Sequence, residues 1–205
     1  MTSKDSDKQI VRDLARRVAE IAQDPVNDIK RDMWRRLNSL ERVRPLVHMQ
    51  AIAWNIWEEL IPPEQLQATD PFVRQQELEL RKRIHCWESF GDDRVIDAVI
   101  VCPLAVRGSL IEADFGVVKD IDRPENPSGA HAYRQGRVEE EDIEKIRTES
   151  ELSVDREETE RRYERLADLY AGTLRVEKRG PDFFWFSPMD RFIQWRGIEP
   201  MFVDL

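Results

Sequence analysis

Apolar residues at Ile10, Leu14, Val18 and Ile21 recur at the three- and four-residue spacing of one helix face, and Asp24-Pro25 ends the pattern. A second stripe, Ile29, Met33, Leu37 and Leu40, predicts a second amphipathic helix with Arg35, Arg36 and Arg42 outside it. Each helix carries a face that needs something to pack on, which places both on one end or flank of a sheet. Residues 1–9 lack the pattern and read as a frayed tail, leaving 10–205 as the folded part.

The charge pattern gives way at Arg44 to Leu60, RPLVHMQAIAWNIWEEL. Leu46, Val47 and Met49 after a proline predict the first strand of a buried parallel sheet, with Trp54 and Trp57 on the loop leaving it. Pro62-Pro63 then breaks the chain. Asp70-Pro71 is an N-cap followed by proline at the first helical position. The helix it begins directs Phe72, Val73, Leu80, Ile84 and Trp87 inward and stops at Gly91. Val95 to Leu104, dense in β-branched residues and closed by Pro103-Leu104, predicts a second buried strand. Strand, long helix and strand in succession is a βαβ pattern.

Arg107 to Gly136 is rich in Gly, Pro, Asn and Asp, an irregular stretch long enough to suggest a lid or binding loop. Alternation at Ile111–Val118 and Ala130–Val138 predicts short hairpin-like strands within it, and Glu139 to Asp142 opens a short acidic helix. Asp155 to Ala171 is the clearest helix. Asp155 and Glu158 have capping-box spacing, and Tyr163, Leu166, Ala167 and Tyr170 form its inner stripe. Glu157–Arg161 and Glu158–Arg162 are i,i+4 pairs, so its charge is a solvated face. Thr173 to Lys178 alternates as a third strand. A helix from Ser187-Pro188 to Gly197 points Met189, Phe192 and Ile193 inward, and another from Glu199-Pro200 does the same with Met201, Phe202 and Leu205. The last pattern stops after one turn, too short to be stable alone, which reads as a polypeptide cut at its C-terminal end.

Composition narrows the function classes. The net charge of -9, with arginines interleaved among acids, argues against a nucleic-acid binder. No apolar run approaches the ~20 residues of a membrane span, and the N-terminus lacks a signal-peptide core. Cys86 and Cys102 have neither metal nor redox spacing. The expectation is a soluble, cytoplasmic α/β protein.

The order of the segments KRDMWRRLNSLERVRPLV, RKRIHCWESFGDDRVIDAVIVCP, VEEEDIEKIRTESELSVDREETERRYERLADLYAGTL and MDRFIQWRGIEPMFVDL resembles the N-terminal half of the uroporphyrinogen decarboxylase-like superfamily. It is most similar there to the corrinoid-linked methyltransferases and demethylases. The resemblance implies the N-terminal half of a TIM (β/α)8-type barrel, with the N-terminal helices packed outside. For the intact family it implies a small-molecule substrate, a corrinoid protein as partner, and a zinc site of His and Cys ligands in the C-terminal half. No cofactor is expected in this chain, which would be inactive alone. The decarboxylases carry an arginine-rich signature after their first strand. The matching place here, HMQAIAWNIWEEL, holds no arginine, which makes decarboxylation the weaker alternative. A non-catalytic half-barrel needing a C-terminal half-barrel partner is the other.

Candidate site residues follow from these placements. His48, at the first strand's end, and Glu58 are candidate acid–base groups, weighed against a packed histidine and a surface carboxylate. Trp54 and Trp57 are candidates to line a cavity for a flat ligand, weighed against plain core. Arg107 after the second strand is a candidate to hold an anionic substrate group, with Asp114 in the long loop beside it. His85 reads as structural.

Overall fold

The computed structural model describes residues 3–49, 54–107, 121–122, 132–133, 140–145, 152–181 and 187–204. It is a mixed α/β chain in two compact units, residues 1–102 with 160–178 and residues 103–159 with 179–205.

The first unit holds the buried core. Helix α1 (Ser3–Ala22) packs along α4 (Pro71–Ser89). Val11, Ala15 and Val18 of α1 are fully buried and Ile21 nearly so, against Leu80 of α4. The buried face is rotated from the expected stripe, leaving Ile10 and Leu14 half-buried. Residues 3–9 are helical rather than a frayed tail, because Asp7 is anchored: its Oδ2 accepts the backbone N–H groups of Thr69 (2.9 Å) and Asp70 (2.8 Å). Asp70 caps α4 as its sequence predicts, accepting from Phe72 N and Val73 N. Gly91, at φ 58°, turns the chain after the helix.

Strand β1 (Val99–Pro103) lies within the expected second strand. Helix α5 (Arg156–Leu169) follows Asp155, whose Oδ1 accepts Glu158 N at 3.0 Å, and Leu166 and Tyr170 are buried as the stripe requires. Strand β6 (Arg175–Arg179) pairs with β1. Arg175 N donates to Ala98 O and Leu104 N to Arg179 O, so the two strands advance in the same sense and are parallel. Each fully buried aliphatic side chain of this core contributes roughly 1.5–3 kcal/mol.

Two expectations fail here. The first expected strand is not one: residues 41–49 have no regular structure, and Trp54–Leu60 forms a helix, α3, instead of a loop. A strand needs a neighbour's backbone ladder, whereas Val47 N and Met49 N are taken by the carboxylates of Asp93 and Asp92. The second failure is α2 (Val26–Asn38), where three of the four predicted stripe residues face solvent and Met33 alone is half-buried: Ile29 is 58% and Leu40, just past the helix, 95% exposed. Its inward side is Asn27, Lys30, Arg31 and Trp34, held by specific polar contacts that outweigh the pull of the stripe. Asn27 Nδ2 donates to Ile21 O and its Oδ1 accepts Ile96 N. Arg31 meets Asp97 at 2.7 Å, and Trp34 Nε1 donates to Asp93 O at 2.8 Å.

In the second unit β2 (Ala105–Arg107) pairs antiparallel with β5 (Ser153–Asp155), and β3 (Ile121–Asp122) with β4 (Ala132–Tyr133). Of the two expected hairpin segments, 130–138 contains β4, while 111–118 lies outside the described residues. The acidic segment is a 3-10 helix, Glu140–Lys145. Helices α6 (Pro188–Arg196) and α7 (Ile198–Asp204) meet at Gly197. Met189, Phe192 and Phe202 are exposed rather than inward, since the clustered core among the described residues belongs to the first unit. Leu205 lies outside the described residues. The described strands pair two by two and do not form a continuous barrel wall.

Candidate functional site

His48 sits in the segment 41–49, which is strapped to the turn after α4. Arg44 makes a two-pronged bond to Asp93, Asp93 N donates to Val47 O at 2.7 Å, and Arg94 donates to Met49 O. The strap leaves His48 exposed, its ring edge-on to Trp34 at 6.3 Å, and not on a strand end. Asp93 itself is 6% exposed, and the Arg44 guanidinium holds its carboxyl down to about 2.

Helix α3 separates its two described candidates. Glu58 is exposed. Trp57 is half-buried against α4, with its ring 6.0 Å from His85 and 6.3 Å from Phe90, and His85 meets Phe90 edge-on at 5.5 Å. The Lys82 ammonium lies 5.6 Å from the Trp57 ring centre. Trp54 belongs to the same helix. Beside this cluster is a depression of about 190 Å³ lined by Leu14, Leu60, Ile61, Gln65, Arg81, Ile84, His85 and Glu88. A second, of about 270 Å³, lies among Asp7, Lys8, Asp70, Phe72, Arg165 and Asp168. Both fall below the ~300–1,000 Å³ of ordinary small-molecule pockets. Within the first, Arg81 is already committed to the wholly buried Glu77, 2.8 Å away. Within the second, Arg165 covers the Phe72 ring and meets Asp70, and Lys8 meets Asp168.

In the second unit Arg107 ends β2, exposed, with Nη2 2.7 Å and Nε 3.0 Å from Asp155 Oδ2. Its fork therefore ties β2 to β5 and to the N-cap of α5. Asp114 lies outside the described residues.

The residues that carry most of the buried polarity were not singled out by pattern. Glu77 accepts Gln67 N and Ala68 N, Asp7 accepts Thr69 N and Asp70 N, and Asp92 and Asp93 hold the 41–49 strap. Each is a carboxylate whose oxygens are taken up by loop backbone N–H groups. Glu77 alone had a signal: it stands four residues after Val73 and three before Leu80, on the buried stripe of α4. The two thiols are quiet, since burial raises the pKa of Cys86 and of Cys102.

Among the described residues no group of three or more His, Cys, Asp or Glu is placed to hold a metal ion. No described helix is long and apolar enough to cross a membrane. Comparison of the chain with protein-family models, with curated proteins and with solved structures gives no match.

Proposed function

We propose that this chain supplies the N-terminal part of a uroporphyrinogen decarboxylase-like (β/α) barrel of the corrinoid methyltransferase type, and that it is inactive alone. One observation carries the reading: β1 and β6 are parallel neighbours with α5 returning the chain between them. A barrel is built by repeating that unit, with substrate held at the C-terminal ends of the strands. The ordered sequence segments supply the family, and the absence of arginine from 48–60 favours methyl transfer over decarboxylation. Zinc, where the intact family holds it, supplies an activated thiolate as methyl acceptor. No step on it is assigned to residues of this chain.

A second reading, a non-catalytic chain that works only with a partner, draws on a different observation. The buried carboxylates among the described residues serve as backbone staples and do not converge on a pocket.

The test is anaerobic methyl transfer from methylcobalamin to a small thiol, run with this chain alone and after co-expression with the C-terminal half of such a methyltransferase. The chain alone is expected to leave the methyl group on cobalt and to carry no zinc above background. The co-expressed pair is expected to form a one-to-one complex that binds zinc and transfers the methyl group. Turnover by the chain alone would overturn the reading, as would failure of the halves to associate. A complex that forms but transfers nothing supports the second reading.

A further inference from the structure

We propose that the depression between α4 and the end of α3 binds a small neutral aromatic molecule carrying an N–H or O–H group, with His85 and Gln65 as its hydrogen-bonding residues. The proposal is independent of the methyl-transfer reading.

Three parts of the first unit build the depression. Arg81, Ile84, His85 and Glu88 recur at helical spacing on one face of α4. Leu60 ends α3, Ile61 follows it, and Gln65 ends the 3-10 turn Pro63–Gln65. Leu14 of α1 completes the lining. Leu14, Leu60, Ile61 and Ile84 give it an apolar surface. Its volume of about 190 Å³ suits one ring or two fused rings, since a cavity of about 150 Å³ lined by aliphatic side chains takes up benzene.

His85 carries the inference. Its ring meets Trp57 at 6.0 Å and 78° and Phe90 at 5.5 Å and 85°, contacts that fix the plane of the imidazole. Among the described residues neither ring nitrogen has a hydrogen-bond partner. A half-buried histidine kept for packing ordinarily spends a ring nitrogen on a neighbour. His85 spends neither, and a neutral imidazole then brings one donor and one acceptor to the wall of the depression. The Gln65 side-chain amide, also without a partner among the described residues, adds a donor and an acceptor on the facing side.

The remaining charges select a neutral occupant. Arg81 is paired with Glu77 at 2.8 Å, and Glu88 with Arg17 at 3.0 Å. An ionised ligand would find no unpaired counter-charge in this lining and would lose hydration against the aliphatic side chains. A neutral N–H or O–H needs only His85 or Gln65.

Proton NMR of the full chain is the test, with far-UV circular dichroism to establish that each variant folds. The chain has three histidines, and the ring signals missing from His85→Phe identify those of His85. Phenol and indole are expected to shift them saturably with Kd about 1 mM, leaving the His48 signals in place. Toluene, which has the ring but no hydrogen-bonding group, is expected to bind about five-fold more weakly. Benzoate and benzylamine are expected to bind about ten-fold more weakly. In saturation-transfer measurements His85→Phe and Gln65→Ala are each expected to weaken indole binding about five-fold. Leu60→Trp, which fills the depression from a side chain 37% exposed, is expected to abolish it. Absence of a saturable His85 shift up to the solubility of indole overturns the proposal. So does equal affinity for toluene or benzoate, or indole binding that Gln65→Ala and Leu60→Trp leave unchanged.

Discussion

Glu77 Oε2 accepts the backbone N–H of Ala68 at 2.8 Å, and both residues are wholly buried. The same carboxylate takes Gln67 N and pairs with Arg81, so a charge placed on the buried stripe of α4 organises the loop that leads into that helix. Replacing it removes acceptors and leaves buried donors unmet. Glu77→Ala is expected to cost about 3–5 kcal/mol in urea unfolding. Glu77→Gln, which keeps one acceptor oxygen, is expected to cost about half as much. A loss under ~1 kcal/mol for Glu77→Ala would show that water fills the role.

Asp93 gives a pH dependence. Its carboxyl is held at about 2 by Arg44 and by Val47 N, below the 3.8 of an unfolded aspartate. A group lowered on folding stabilises the folded state above its unfolded pKa, and the stabilisation is lost as pH falls through the folded pKa. The strap formed with residues 44–47 is therefore at full strength near neutrality and weakens between about pH 4 and pH 2. Discounted for the half-exposed Arg44 side chain, the contribution is about 1–2 kcal/mol. Asp93→Asn is expected to lower stability by that amount at pH 7. The difference from the parent should vanish near pH 2, as read by urea midpoints across the range.

Asn27 bridges Ile21 O at 2.7 Å and Ile96 N at 2.9 Å, joining α1, α2 and the lead into β1. Asn27→Leu keeps the branched outline of the side chain with added bulk but makes neither bond, and is expected to cost about 2–3 kcal/mol. Hydrogen exchange should localise the loss: amides of residues 26–38 are expected to exchange faster while those of α4 keep their protection. Uniform acceleration over both helices would place Asn27 in the global core instead.

His48 is exposed and touches the Trp34 ring edge-on, so His48→Ala is expected to change stability by less than about 0.5 kcal/mol. That silence makes it a clean probe. In the reconstituted pair a fall in methyl transfer for His48→Ala would report on chemistry and not on folding. A large loss of stability in the isolated chain would mean that the strap depends on His48 as well as on Asp92 and Asp93.

Local signals were legible where a residue's role depends on its neighbours in sequence. Asp70-Pro71 and Asp155 begin helices because a cap reaches only two or three residues ahead. Val99–Pro103 and Arg175–Arg179 are strands where β-branched density and alternation place them, and α1, α4 and α5 bury one apolar face each. Of the candidate site residues, the sequence could name types but not surroundings. Trp57 found His85 and Phe90, Arg107 found Asp155, and Glu58 and His48 stayed at the surface.

What the sequence determined by itself was the helices other than α3 and the start of α1, the caps at Asp70 and Asp155, and the two strands of the parallel pair, since those follow from spacings within a few residues. Only the tertiary structure decided the rest. It gave the backbone donors of residues 44–49 to Asp92 and Asp93 in place of a strand neighbour, turned Glu77 into a loop anchor, and set α2 down on its polar side with Leu37 outward. Each of those outcomes rests on a partner nine or more residues away. Hydrogen bonds to Asp92, Asp93 and Glu77 settled which backbone groups were satisfied, and those of the buried Asn27 amide settled which face of α2 turned inward.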